Sequence, residues 1–202
     1  MSTNNRTPHI FTALDLELNQ PSNKIIQIGA VVGNIQTGEI IDKISIIVNP
    51  HETLGICNDG ENSQVSITDL TGITQEQVDA GVELDEAYIA LRDFHNKHNS
   101  FINAVTWGGG DSEEIKQQIA KYNMTSWCFG RRWIDVKTLY IAWRLQNGKP
   151  PTGGLAKAMT NVGLKFEGRK HDALDDAYNT FRMFHAMLNK MQKDVPIGNE
   201  KI

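Results

Sequence analysis

Ile10-Phe11-Thr12-Ala13-Leu14-Asp15-Leu16-Glu17-Leu18 is a nearly continuous run of apolar and β-prone residues that ends with two carboxylates. A run of this kind reads as a central strand buried on both faces. Lys24–Gly33, rich in Ile and Val, is a second strand, and Glu39–Val48 is a third. The short Gln36-Thr37-Gly38 link joins the second and third as a hairpin. Further along, Ser66–Ile73 precedes helical patterns at Thr74–Ala80 and Leu84–His98, where Ala87, Leu91 and Phe94 keep helical spacing. Ile102–Trp107 reads as a fourth strand and Arg132–Val136 as a fifth, with a helix over Asp111–Tyr122 between them. Helices follow at Val136–Leu145, Leu155–Val162 and Asp172–Met191. A strand meander followed by alternating helices and strands gives an α/β fold. Its mixed five-stranded sheet has the first three strands antiparallel and is flanked by helices.

The chain has 202 residues, enough for one domain with a proper core. We assign that domain to residues 9–191, with loose tails at 1–8 and 192–202. Residues 49–66 are polar, contain Gly and Asn, and read as a loop. A hydrophobic content of 40% and a charged content of 22% are ordinary for a globular protein. No stretch approaches the roughly 20 apolar residues of a membrane helix, and Met1–Pro8 lacks a signal-peptide core, so no membrane association is expected. The two cysteines, Cys57 and Cys128, are far apart and in no metal-ligand spacing, which points to a reducing cytoplasm. A net charge of −4 argues against a broadly basic nucleic-acid surface, though not against an enzyme that holds a few nucleotides.

Three groups of carboxylates stand out. Alternation along the first strand puts Asp15 and Glu17 on one face, about 7 Å apart. Two like charges there repel and resist desolvation, and either a cation beside them or an exposed strand end resolves the conflict. Asp111 follows Gly108-Gly109-Gly110 and opens a helix whose packed face continues through Ile115, Ile119 and Tyr122. It reads as a site residue or as a helix cap, with Glu114 completing a capping box. The third group is His171-Asp172-Ala173-Leu174-Asp175-Asp176-Ala177. Leu174, Ala177, Phe181, Phe184 and Leu188 make an apolar stripe, with Asp176 at its edge. His171 falls in the preceding loop, while Asp172 and Asp175 suit the positive end of the helix dipole.

The other histidines read as structural or surface groups. His95 and His98 end a helix, where a cation suits the dipole, and His185 lies within the last helix. The His171-Asp172 dipeptide occurs in all-helical metal phosphohydrolases, but His9, His51, His95, His98 and His185 do not supply the further ligands in suitable contexts. No phosphate-binding P-loop or dinucleotide fingerprint occurs.

Taken in order, Asp15-Leu16-Glu17, Asp111, and His171 followed by Asp176 resemble the DEDDh exonucleases, the DnaQ-like group of the ribonuclease H-like superfamily. The resemblance covers about residues 10–190 and is similar to the subgroup holding the Eri-type RNA exonucleases and KapD-like bacterial proteins. It is carried by Leu70-Thr71-Gly72-Ile73-Thr74, Val78-Asp79-Ala80-Gly81, Trp107-Gly108-Gly109-Gly110-Asp111, Trp133-Ile134-Asp135-Val136-Lys137 and Gly163–His171. Two features depart from it: Leu18 stands where many relatives have a small or hydroxyl residue, and the 51–66 loop has no counterpart in the family pattern.

The resemblance implies a metal-dependent 3′→5′ exonuclease that releases 5′-mononucleotides from the 3′ end of single-stranded RNA or DNA, with RNA slightly favoured. It implies two Mg²⁺ or Mn²⁺ ions held by Asp15, Glu17, Asp111 and Asp176, with His171 as general base. Leu16 and Leu18, with the Leu70-Thr71-Gly72-Ile73 loop, would pack on the last base and sugar. Arg131-Arg132 and Arg169-Lys170 are compact basic pairs near site motifs, read as phosphate guides or as solvated surface. Two rival readings stay open: a catalytically silent interaction module on the same fold, and a phosphohydrolase of very short oligonucleotides. The sequence leaves the oligomeric state open, a homodimer being one option.

Overall fold

The computed structural model describes residues 7–58, 63–122 and 127–193. Most of the expected tails fall outside these residues. Within them, Thr7 and Pro8 are exposed coil and the last helix runs on to Lys193. Strands β1 (Ile10–Leu18), β2 (Ile25–Asn34) and β3 (Ile40–Ile47) form the antiparallel meander. Then β6 (Val105–Thr106) and β7 (Ile134–Asp135) add in parallel, giving the order β3-β2-β1-β6-β7. The fourth and fifth strands are shorter than Ile102–Trp107 and Arg132–Val136, because only two residues of each pair in the ladder.

The loop expected at 49–66 is not irregular throughout. β4 (Ile56–Asn58) and β5 (Gln64–Ser66) pair antiparallel as a separate two-stranded sheet. Each is three residues long, too short for alternation to show, and residues 59–62 between them lie outside the described residues. Helices α1 (Ile67–Thr71), α2 (Gln75–Asp79) and α3 (Leu84–Lys97) follow. After them come α4 (Gly110–Ala120), α5 (Val136–Gln146), α6 (Leu155–Val162) and α7 (Ala173–Lys193).

β2 is buried along nearly its whole length, and β1 lies between it and β6, so both are covered on two faces. Thr12, Leu14 and Leu16 point to one face. Leu14 and Leu16 join the core built with Tyr88, Leu91 and Phe94 of α3 and Ile115 and Ile119 of α4. Phe11 and Ala13 point to the other face and pack with Tyr140 of α5, Met159 of α6, and Phe181 and Phe184 of α7. Each such fully buried large side chain contributes about 1.5–3 kcal/mol. By the same alternation Asp15 and Glu17 continue the α7 face. The inward stripe of α7 is Ala173, Ala177, Phe181, Phe184 and Met187; Leu174 is only half-buried and Leu188 is exposed, because the helix meets the sheet one position earlier than the leucines suggest. Tyr122 likewise turns outward, past the end of α4.

His95 overturns its expected role. It is buried, its Nδ1 lies 2.8 Å from the Thr12 hydroxyl, and burial pushes its pKa down to about 4. It is therefore a neutral core group linking α3 to β1, not a cation at the helix end. His98 does meet a carboxylate, Asp42, at 2.9 Å, and His185 bonds the Ile35 carbonyl at 2.7 Å.

Candidate active site

The site begins where α7 lands on the sheet. Asp15 pairs with Gly29 of β2, and a Cβ at Gly29 would lie only 2.1–2.3 Å from the backbone of Ala173 and Leu174. The missing side chain lets the start of α7 settle directly over the strands that carry the two acids. Gln27 fastens the contact: its carbonyl oxygen accepts from the Ala173 N–H at 3.0 Å, and its amide donates to Asp172 at 3.2 Å. Asp172 caps the helix, accepting from the N–H groups of Leu174 and Asp175 at 3.0 and 3.1 Å. Asp176 is thereby delivered to the β1 carboxylates.

His171 precedes the helix with a φ of 61°, and its N–H donates to the Asp176 carboxylate at 3.0 Å. That bond turns the backbone so that the imidazole meets the same acids. One ligand atom each from Glu17, His171 and Asp176 lies within 4.8 Å of the others. Asp15, His171 and Asp176 share a cavity of about 400 Å³ with Trp107, Phe166, Lys157 and Lys170.

Asp111 joins the group from the first turn of α4. It is not the helix cap: α4 begins at Gly110, the N-cap is Gly109, and Glu114 bonds Gln118 at 3.2 Å instead of closing a capping box. The loop before it is tied down where the Thr106 hydroxyl donates to the Gly108 carbonyl at 2.7 Å and the Gly108 N–H donates to Asp135 at 3.1 Å.

Electrostatics shows how closely the acids converge. Burial, then Asp111, Asp176 and Glu17, hold the Asp15 carboxyl well above the usual range. Burial, with Asp176 and Asp172, pushes Glu17 up to about 8. Burial and Asp176 bring Asp111 to about 7, and burial brings Asp176 to about 6 against the opposing His171 N–H bond. Burial and the neighbouring Lys170 and Arg169 lower His171, keeping a neutral ring beside the acids. Four carboxylates and one imidazole make a hard donor set, suited to Mg²⁺ or Mn²⁺ rather than to a thiophilic metal. A divalent cation among them would offset both the burial of these charges and their mutual repulsion.

The model of the RNase_T family, described as exonuclease, matches residues 11–184. The chain belongs to this family. It has the ribonuclease H-like fold. This RNase_T chain is 28% identical over 188 residues to the 3′-5′ exonuclease Snipper of Drosophila melanogaster, covering 85% of this chain and 62% of that protein. It is 30% identical over 184 residues to ERI1 exoribonuclease 2 of Mus musculus, covering 79% of this chain and 24% of that protein. It therefore spans less than two thirds of either relative. The nuclease domain of 3′hExo, a DEDDh family member solved bound to rAMP, superposes with a TM-score of 0.72 at 22% identity. That match covers 91% of this chain and 93% of that chain, and it shows the shared fold.

The residues expected around the substrate divide. Leu16, Leu18 and Leu70 line a second cavity, of about 550 Å³, together with Glu17. Thr71 and Ile73 do not face it. Both are buried, with the Thr71 hydroxyl donating to the Ile67 carbonyl at 2.8 Å and Ile73 packed on Ile26, Ile67 and Val78. Gly72 ends α1 at a φ of 77°, and a Cβ there would fall 1.5 Å from the Arg169 guanidinium. That guanidinium donates to the Asp69 and Leu70 carbonyls at 3.2 and 3.4 Å, so Arg169 ties the Leu70 wall to the His171 loop. Arg131 and Arg132 border a separate cavity with Asn103. Trp107, Lys157 and Phe166 of the first cavity were not singled out in the sequence; Trp107 and Phe166 lie within the family-like segments, which was the one available signal.

Proposed function

We propose that residues 9–191 form a metal-dependent 3′→5′ exonuclease that hydrolyses single-stranded nucleic acid, RNA in preference to DNA, and releases 5′-mononucleotides. The observation that carries this reading is the meeting of four carboxylates and His171 at one cleft, with every carboxylate pKa raised. The preference for RNA rests on the relatives named as exoribonucleases.

Asp15, Glu17, Asp111 and Asp176 would hold two Mg²⁺ or Mn²⁺ ions, which supply charge stabilisation and an activated water when bound. His171 accepts the proton of the attacking water, as its lowered pKa leaves the imidazole neutral at working pH. Its place in a loop ahead of α7, fixed through one backbone bond to Asp176, sets the ring beside the acids. Asp172, Gln27 and Gly29 position this group by holding α7 on the sheet.

The test uses 5′-labelled single strands of RNA and DNA, and dinucleotides, incubated with Mn²⁺. Stepwise shortening from the 3′ end, abolished in Asp15→Ala, is the expected result. Internal cuts, or no cleavage of any polymer, would overturn the reading.

A further inference from the structure

His171 stands near the end of a segment that leaves α6 at Val162 and enters α7 at Ala173. The middle of that segment is pinned to α7 by Asn179, which is fully buried. The Asn179 amide donates to the Glu167 carbonyl at 2.7 Å, and its side-chain oxygen accepts from the Glu167 N–H at 3.2 Å. The tip, Gly168 to His171, is held on the same helix by two backbone donors. The Arg169 N–H donates to Asp175 at 2.7 Å and the His171 N–H to Asp176 at 3.0 Å. Gly168 has a φ of 85°, and a Cβ there would fall 2.3 Å from the Asp175 carboxylate, so the tip lies close against that acid.

All of these contacts tie the tip to α7. The Arg169 side chain ties it to a different element. Its guanidinium crosses to α1 and donates from one nitrogen to the Asp69 and Leu70 carbonyls, at 3.2 and 3.4 Å. These carbonyls belong to the last turn of α1, where a cation is favoured. Gly72, the cap of that helix, leaves the room: a Cβ there would fall 1.5 Å from the other guanidinium nitrogen. Arg169 is thus engaged with protein, two residues before His171, in a contact that spans about 100 residues of chain.

We propose that Arg169 is a positioning residue for the reaction. By joining the tip to α1 as well as to α7, it fixes the direction of the His171 ring relative to the acids. The inference rests on the exonuclease reading, with His171 as the base.

The experiment measures kcat and KM on 5′-labelled single-stranded RNA with Mn²⁺ for the parent chain, Arg169→Ala, Gly72→Ala and the double variant. Thermal unfolding and Mn²⁺ calorimetry accompany it. For Arg169→Ala we expect kcat to fall about 10–100-fold, the scale of a misplaced reacting group. KM and Mn²⁺ affinity should stay within about twofold of the parent chain, because neither the strand nor the metal touches Arg169. Gly72→Ala should lower kcat by a similar factor, since its new Cβ pushes the guanidinium off α1. The double variant should lose no further kcat, although the left-handed backbone at residue 72 lowers Tm in either background. A role in stability alone would move Tm and leave kcat unchanged. A parent chain that shortens no RNA overturns the exonuclease reading and this proposal with it. With an active parent chain, the proposal alone is overturned by any of three results: Arg169→Ala keeps the parent kcat or is unfolded at the assay temperature, its loss follows KM or Mn²⁺ affinity, or the two substitutions multiply in kcat.

Discussion

Glu17→Gln should stabilise the metal-free protein while removing its activity. Glu17 is buried, its carboxyl is pushed from an ordinary 4.5 to about 8, and the leading causes are burial and the Asp176 and Asp172 carboxylates. The raised value means that folding favours the protonated form. Stability from this group is therefore full below pH 4.5 and is lost as pH rises toward 8. The whole shift corresponds to about 5 kcal/mol at about 1.4 kcal/mol per pH unit. Water entering the cleft and shifts of the neighbouring side chains offset part of the burial penalty, and we expect a gain of about 2–3 kcal/mol at pH 8. In a chain of this size that is a rise of about 4–12 °C in Tm. The amide also donates to the remaining acids, so the buried group keeps partners. The assay is thermal unfolding in excess chelator at pH 8 and at pH 5. At pH 5 folded Glu17 is protonated and the gain should shrink to under about 1 kcal/mol. With saturating Mn²⁺ the order should reverse, because the parent chain alone retains the full ligand set. A Glu17→Gln protein less stable than its parent in chelator at pH 8, or equally stabilised at both pH values, would refute the argument.

His171→Ala should lower kcat by about 10²–10⁴-fold while keeping Mn²⁺ binding by calorimetry, since the carboxylates remain. Because burial and Lys170 lower the imidazole pKa, the acid limb of the parent chain's pH–rate profile should fall below the ordinary histidine value of 6.5, with the rate lost as pH drops through it. An acid limb above 6.5 would count against His171 as the base. Gly29→Ala should drive the start of α7 off the sheet, costing about 2–4 kcal/mol of stability by chemical denaturation and most of the activity. Thr12→Val should cost about 1–3 kcal/mol by leaving buried His95 without its partner, and adding His95→Phe should recover most of it; additive losses would exclude the pairing.

The sheet was legible because its central strands are long and apolar on both faces, as in Ile10–Leu18 and Ile25–Asn34. What pairing in three dimensions decides was less visible. Val105 and Thr106 are strand only because Ala13 and Ile134 lie beside them. The β4–β5 hairpin gives no periodic signal in three-residue strands and depends on Glu52 meeting Asn19 and Lys24, which lie 33 and 28 residues before it.

The same division holds at the site. Alternation places Asp15 and Glu17 on one face from the sequence alone. That this face belongs to α7 depends on Gly29, whose lack of a side chain carries no signal until Ala173 is seen against it. Asp111 looked like a cap because Asp favours that position and Glu114 follows three residues on; the cap falls two residues earlier, at Gly109, which puts the Asp111 carboxylate within the first turn. Thr71 and Ile73 were expected at the groove from the family-like Leu70-Thr71-Gly72-Ile73 segment, yet Thr71 turns inward on α1 and Ile73 turns inward beyond the Gly72 cap, while Leu70 lines the cavity. Family-like order therefore points to acids that the fold brings together, whereas the direction of each side chain along Leu70-Thr71-Gly72-Ile73 is set by the packing of one short helix and its C-cap.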